Sequence, residues 1–447
     1  MGNKALHTKV INGWAMYDWA NSAYSLVITS TIFPFYYTAV THNAAQGDRV
    51  SFFGVSVINT ALSNYAIAVA YLLIAMLSPI LSSIADYRGN KKRFMQFFCY
   101  LGSLACCGLF FFRRETLEWG IVCFVLAAIG YCGSIVFYNA YLPEIAAEDL
   151  QDKVSAKGYA YGYIGSVLLQ ILCLILVLKP DWFGFTDPSF APRLSFLLTG
   201  LWWMGFAQLT FRRLPSSRVR ASDRKHLLVQ GFLELRKVWR EVKRQPLLKR
   251  FLGAFFLYSM GVQTVMLAAA FFAEKLLQLS APQLIGTILV IQLVAIAGAW
   301  LMAWLSGKVG NVRVLQGVVL VWVGICVGAY FVQNALQFYL LAALVGLVMG
   351  GIQSLSRSTY SRMLPETRDT ASYFSFYDVT EKIAIVIGMF SFAFMEQWTG
   401  NIRNSVLPLV GFFLLGYLML TWMRLRVRRD PRIPAEDPLE APDVLAG

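Results

Sequence analysis

Apolar runs of 18 or more residues recur along the chain, separated by short polar stretches. A run of that length crosses the hydrocarbon core of a bilayer as a helix. The pattern predicts spans at roughly 11–41, 57–84, 94–112, 118–141, 157–178 and 191–211, then at 250–273, 282–305, 313–332, 336–356, 372–395 and 405–423. The longest polar stretch, 212–249, divides these twelve spans into six plus six. Within it, Leu228, Phe232, Leu235, Trp239 and Val242 recur at helical spacing, while Arg236, Lys237, Arg240, Lys243 and Arg244 fill the other faces. That is an amphipathic helix suited to the inner membrane surface, stopped by Pro246.

The two sixes also carry a short repeat. Tyr138 to Glu144 reads YNAYLPE and Tyr360 to Glu366 reads YSRMLPE, and each block closes the fourth span of its half. The expected architecture is an all-α membrane protein with twelve transmembrane helices in two pseudo-symmetric halves. Residues 1–211 form the first half, 212–249 the cytoplasmic linker, 250–423 the second half and 424–447 a cytoplasmic tail. A solute path runs between duplicated halves of this kind.

Composition narrows the class further. The set AVILMFWYC makes up 57% of the chain and charged residues only 14%, against about 25% charged in soluble domains. A water-facing surface for several soluble domains, a disordered chain and a soluble nucleic-acid binder are excluded on that ground. The net charge of +14 is topological: with the N-terminus inside, 31 of the 39 Lys and Arg fall in cytoplasmic segments, 7 fall on the opposite side and Lys382 lies in a span. Positive residues stay cytoplasmic, so both termini are expected there. The seven cysteines lie inside apolar runs without metal-ligand neighbours and read as packing residues. His7, His42 and His226 lie outside the spans and are scattered. These counts predict no metal site, no cofactor and no enzyme. The N-terminus has neither a secretory h-region nor the Ser or Thr that myristoylation wants at position 6, where Leu6 stands. No G-x-x-x-x-G-K-[ST] phosphate loop is present, so energy comes from a gradient, or the protein is a uniporter. No N-x-[ST] site occurs and the tails are short, which points to a bacterial inner membrane.

Polar groups within spans need a reason, because an ionised side chain at mid-bilayer costs roughly 2.5–3.5 kcal/mol. Asp18 and Asn21 share one helix face, and Asp378 and Lys382 are spaced to pair, with Glu381 beside them. Each has a structural alternative: a cap or latch for Asp18, a self-neutralising pair for Asp378 and Lys382. Tyr161, Tyr163, Tyr258, Gln263, Gln292 and Gln353 suit a polar cavity or, for the tyrosines, plain packing. Gly158-x-x-x-Gly162 and Gly346-x-x-x-Gly350 are small-residue packing motifs.

The loop after the second span reads Ser82-Ser-Ile-Ala-Asp86-Tyr-Arg88-Gly89-Asn-Lys91-Lys92-Arg93. It resembles the major facilitator superfamily signature G-x-x-x-D-R-x-G-R-R at Asp86, Gly89 and Lys91, with Ser82 for the first Gly and Arg88 one place late. The corresponding loop after the eighth span, Ser306 to Arg313, lacks the acid. The resemblance implies a gating role for Asp86, Arg88, Gly89 and Lys91, with Asp86 accepting bonds from the start of the eleventh helix. A narrower resemblance rests on the run Tyr17-Asp18-Trp19-Ala20-Asn21-Ser22-Ala23-Tyr24, on Ile32-Phe33-Pro34, on Tyr258 to Thr264, on Tyr377 to Lys382 and on the Tyr138–Glu144 block. Together they look like the vacuolar-effluxer-like branch, named for an amino-acid effluxer. The branch usually has an acid where Met260 stands here.

The resemblance implies a monomeric secondary active transporter, working by alternating access on a small polar solute of the amino-acid class. Its candidate solute or proton residues are Asp18, Asn21, Tyr24, Tyr138, Asn139, Tyr161, Tyr258, Gln263, Tyr377, Asp378 and Lys382, with Asp18 and Asp378 as the proton-site candidates. A lipid or lysolipid flippase, or a non-transporting sensor on the same fold, is the alternative.

Overall fold

Twelve long helical stretches occupy the places of the apolar runs in the computed structural model, which describes residues 2–42, 49–216 and 227–427. The first stretch is α1 (Gly2–Ala23), a π-helical segment (Tyr24–Thr31) and α2 (Ile32–Thr41). Then come α3 (Asn59–Arg88), α4 (Lys91–Gly108), α5 (Leu117–Asn139), the single turn α6 (Leu142–Ile145), α7 (Gln151–Leu178) and α8 (Phe190–Arg213). The linker helix is α9 (Leu227–Arg244). The second half comprises α10 (Pro246–Leu277), α11 (Ala281–Val309), α12 (Asn311–Phe331), α13 (Ala335–Arg362), α14 (Thr370–Thr399) and α15 (Leu407–Val427). Among the described residues, ten helices are long and apolar enough to cross a membrane. The other two stretches are the first, interrupted by its π segment, and α14, which carries Asp378, Glu381 and Lys382.

Local chemistry accounts for the irregularities. Pro34 has no N–H for the carbonyl one turn back, and its ring crowds that carbonyl. The widened segment before it absorbs the defect, and the Thr31 hydroxyl donates to the Leu26 carbonyl at 2.6 Å. The second span starts later than expected. A β-hairpin, β1 (Arg49–Phe52) with β2 (Val55–Ile58), precedes it, and the register pairs Ser51 with Ser56. Its turn residues Phe53 and Gly54 both have positive φ, 46° and 81°, as a tight hairpin turn requires. Val57 and Ile58 therefore belong to a strand, and the alternation of Val with Ser around Gly54 is the signal that a hydropathy window averages away.

The helices pack as two compact units. The first comprises residues 1–138 and 161–227. Within it α1 and α4 pack on α8. Arg193, one of the seven basic residues assigned to the outer side although it falls at the start of the 191–211 run, lies in the first turns of α8 at 3% exposure, its guanidinium 2.9 Å from Asp187. The Ser189 hydroxyl and amide also donate to Asp187 and hold its carboxyl below the usual carboxylate range.

The second unit comprises residues 139–160 and 228–447. The short segment 139–160, which joins α5 to α7, thus packs with the second six helices although it belongs to the first half in sequence. Its Ala156 is buried with Ala299 and Ala303 of α11. Helices α11 and α13 touch backbone to backbone: a Cβ on Gly346 would sit 2.6 Å from the Ile291 carbonyl oxygen, and one on Gly298 would overlap the Leu347 carbonyl. Residues 217–226 of the linker and 428–447 of the tail lie outside the described residues, as do the side chains of Leu228 and Phe232. The apolar face of α9 is otherwise partly covered by protein: Val238 and Val242 are buried, and the Trp239 ring packs at a tilt against Phe376, 5.4 Å between ring centres. Lys237 pairs with Asp369 at 3.2 Å, and the Tyr373 hydroxyl donates to Glu241 at 2.9 Å.

Candidate functional site

In the first unit the DWANSAY run forms a buried polar knot. The Tyr138 hydroxyl donates to Asp18 Oδ2 at 2.7 Å, and the Trp14 indole donates to the Tyr138 carbonyl at 2.9 Å while its ring stacks on the Tyr138 ring. Asn21 is 1% exposed, and its Nδ2 has no hydrogen-bond partner among the described residues. Asn21 stands three residues after Asp18, so the two share a face as the spacing predicts. Helix α7 approaches this face through Gly162, where a Cβ would lie 2.5 Å from the Ser22 hydroxyl. Tyr24 packs against Tyr131 and Trp203 in an aromatic cluster. Tyr161 is half-buried on α7.

The signature loop lies in the same unit. Gly89 ends α3 with φ +66°, the left-handed cap that favours glycine, and its amide donates to the Asp86 carbonyl at 3.1 Å. The Asp86 carboxylate is buried, 3.7 Å from Lys91 Nζ. Arg88 is the last residue of α3 and half-exposed.

The second unit holds a small, partly open cleft lined by α10, α13, α14 and Tyr159 of α7. Its polar wall comprises Tyr258, Gln263, Gln353, Ser356, Tyr377 and Glu381. Gln263 Nε2 donates to Glu381 Oε1 at 2.7 Å, and the hydroxyls of Tyr258 and Ser356 lie 2.7 Å apart. Tyr377 stacks on Phe255 with ring centres 4.1 Å apart. Lys382 Nζ stands 3.3 Å from Asp378 Oδ1 and 3.6 Å from Glu381 Oε2. The α14 group is therefore a triad of two acids and one base, where the spacing of Asp378 and Lys382 suggested a simple pair. Of the two acids, Glu381 lines the cleft and Asp378 does not. Of the sequence-predicted residues, Tyr258, Gln263 and Tyr377 line this cleft; Asp378 and Lys382 do not, and Lys382 reaches it only as the ion-pair partner of Glu381.

A second buried network in the same unit was not legible beforehand. Arg357, counted above among loop charges, lies within α13 at 2% exposure. Its Nε donates to the Ser155 hydroxyl at 2.9 Å, one terminal nitrogen to the Ser155 carbonyl at 2.8 Å and the other to Asn139 Oδ1 at 3.2 Å. Its guanidinium lies 4.2 Å from the centre of the Tyr159 ring. Nearby in sequence, Asp152 pairs with Arg362 at 2.9 Å and accepts from Asn311 Nδ2 at 2.7 Å and from Ser306 at 3.1 Å. The loop after the eighth span lacks an acid of its own, and Asp152 at the start of α7 supplies one. Glu144 accepts from the Thr370 hydroxyl at 2.9 Å, at the first residue of α14. The signal for these residues is that polar side chains on segment 139–160 face polar side chains on α13 and at the ends of α11, α12 and α14. Only tertiary structure brings them together.

Chemically, these arrangements are buried hydrogen-bonded and ion-paired groups within a helical membrane fold. Comparisons with known proteins give the family. The family model described as "Vacuole effluxer Atg22 like" matches residues 7–430. An uncharacterized MFS-type transporter, YxiO of Bacillus subtilis (strain 168), is 33% identical over 420 residues, covering 93% of this chain and 95% of that protein. Autophagy-related protein 22 of Coccidioides immitis (strain RS) is 24% identical, covering 82% of this chain and 72% of that one. Among solved structures, the proton:xylose symporter XylE superposes with a TM-score of 0.68 at 12% identity, covering 98% of both chains. The human organic anion transporter MFSD10 gives 0.67 at 14%, covering 93% of this chain and 99% of the other. The chain belongs to the vacuole effluxer Atg22-like family and is an integral membrane transporter of the major facilitator superfamily, not an enzyme.

Proposed function

We propose that this transporter moves small zwitterionic solutes of the amino-acid class across a bacterial inner membrane by alternating access, with both termini cytoplasmic. The observation that carries the reading is the cleft in the second unit. A carboxylate at Glu381, the Gln263 amide and the hydroxyls of Tyr258 and Ser356 converge on it. A carboxylate suits an ammonium group, and amide and hydroxyl donors suit a carboxylate. The family likeness to effluxers favours export, and the relative from Bacillus subtilis favours a bacterial membrane.

Gating follows from segment 139–160. The bonds of Arg357 to Ser155 and Asn139, of Asp152 to Arg362 and Asn311, and of Glu144 to Thr370 join this segment to α11–α14. Opening toward the cytoplasm breaks them. The Asp86 loop, with Arg88, Gly89 and Lys91, acts as the latch at the signature position. In the first unit, Asp18, Asn21 and Tyr138 provide further polar groups for the path.

A second reading has its own observation. A partly open, apolar pocket lies in the second unit beside Val265, Phe272, Ile291, Phe338 and Phe392. It suits an acyl chain, as a lysolipid flippase needs. One experiment separates the two: counterflow in proteoliposomes with amino acids, short peptides, sugars and lysolipids side by side. Exchange of amino acids alone supports the first reading, and exchange of lysolipids alone overturns it.

A further inference from the structure

The α14 triad has one base for two acids. Lys382 lies between Asp378 at 3.3 Å and Glu381 at 3.6 Å and neutralises only one of them. The surplus negative charge sits on a helix whose cost of carrying an unmatched ion is high. The two acids differ in where they stand. The side chain of Asp378 is 4% exposed, and its Oδ2 is buried with no hydrogen-bond partner among the described residues. The Glu381 side chain is 24% exposed and opens on the cleft. A proton arriving through the cleft reaches Glu381 first. Once Glu381 is neutral, the unused Oδ2 of Asp378 offers Lys382 a second contact on the same carboxylate, so the base shifts wholly onto Asp378 without leaving a charge unmatched.

We infer that Glu381 is the site of an exchangeable proton, with Asp378 and Lys382 as the fixed pair that balances it. The groups around Glu381 come from each neighbouring element. Lys382, Asp378 and Tyr377 share its own helix, and Tyr258 and the neutral Gln263 face it from α10. Ser356 and Gln353 line the cleft from α13 and Tyr159 from α7, and Arg357 lies over Tyr159. Glu381 and Asp378 are the only carboxylates among these, and Asp378 does not line the cleft. The binding step is simple protonation: a hydronium gives its proton to one Glu381 oxygen and leaves as water. The use of this proton in transport rests on the reading above; the site itself does not.

The test is infrared difference spectroscopy of the full chain in liposomes, titrated from about pH 9 to about pH 5 with no solute present. The wild type should gain a protonated-carboxyl band that E381Q lacks. Gln keeps the shape and can still accept from Gln263, so E381Q should fold. E381D, which should retain a titrating band, guards against a folding failure. D378N should keep the band but move it to lower pH, because a competing negative charge has gone and Lys382 then serves Glu381 alone. A structural acid would show none of this. A band that survives E381Q, or one that disappears only in D378N, overturns the assignment. A wild type that shows the Glu381 band yet exchanges no amino acid in counterflow would sink the transport reading and leave the proton site standing.

Discussion

Asp152→Asn is the most informative change at the segment that ties α7 to α11–α13. The wild-type carboxylate is buried and holds Arg362 at 2.9 Å, Asn311 at 2.7 Å and Ser306 at 3.1 Å. Asn keeps one carbonyl oxygen as an acceptor and loses the charge. A hydrogen bond to a charged partner is worth roughly 1.5–3 kcal/mol, and the Arg362 side chain is only 11% exposed, so little of this is screened away. Taking about 2 kcal/mol, a closed-to-open equilibrium shifts about thirtyfold. The assay is thiol labelling from the cytoplasmic side at Ala156→Cys, a position buried against Ala299 and Ala303, in a chain otherwise free of cysteine. Labelling should accelerate about thirtyfold in the Asp152→Asn background, in line with that shift. Cys326, retained alone and 1% exposed, reports unfolding and should stay unreactive. An unchanged rate at position 156 would refute the gating role of Asp152, and a parallel rise at Cys326 would mean that the variant merely unfolds.

Other consequences can be checked in the same way. Arg357→Lys loses the planar fork that reaches both Ser155 and Asn139; transport should fall and position 156 should label faster, with the fold kept by circular dichroism. Gly346→Ala drives a Cβ to 2.6 Å from the Ile291 carbonyl and should cost about 1–3 kcal/mol, read as a lower melting temperature in detergent; an unchanged melting temperature would show that α11 and α13 part readily. A cysteine at Asp181 should label from outside intact cells and one at Lys249 should not; the reverse pattern would invert the topology.

Much of this fold was legible because a bilayer forces a simple code on the chain. Long apolar runs located the helices, and the polar gap before Pro246 located α9. The hairpin at Arg49–Ile58 escaped because two four-residue strands are shorter than the window that finds a span. Charge counting misplaced Arg357 and Arg193 because it assumes that a basic residue near a span end lies in water, whereas each is buried on its own set of acceptors. Helical spacing put Asp378 and Lys382 together on one face. It did not show which of the two acids beside Lys382 opens on a cleft, since that depends on Gln263 from α10, more than a hundred residues away in sequence. The polar partners of Asp152 come from α11, α12 and α13, and nothing local in any of them announces the others.

Counterflow of amino acids in proteoliposomes, compared between the wild type and Gln263→Leu, tests the solute cleft most directly. Gln263 donates to Glu381 on the cleft wall, and Leu keeps the bulk while removing the amide. The account predicts a folded variant that exchanges at a small fraction of the wild-type rate. Full exchange by Gln263→Leu would place the solute elsewhere and contradict it.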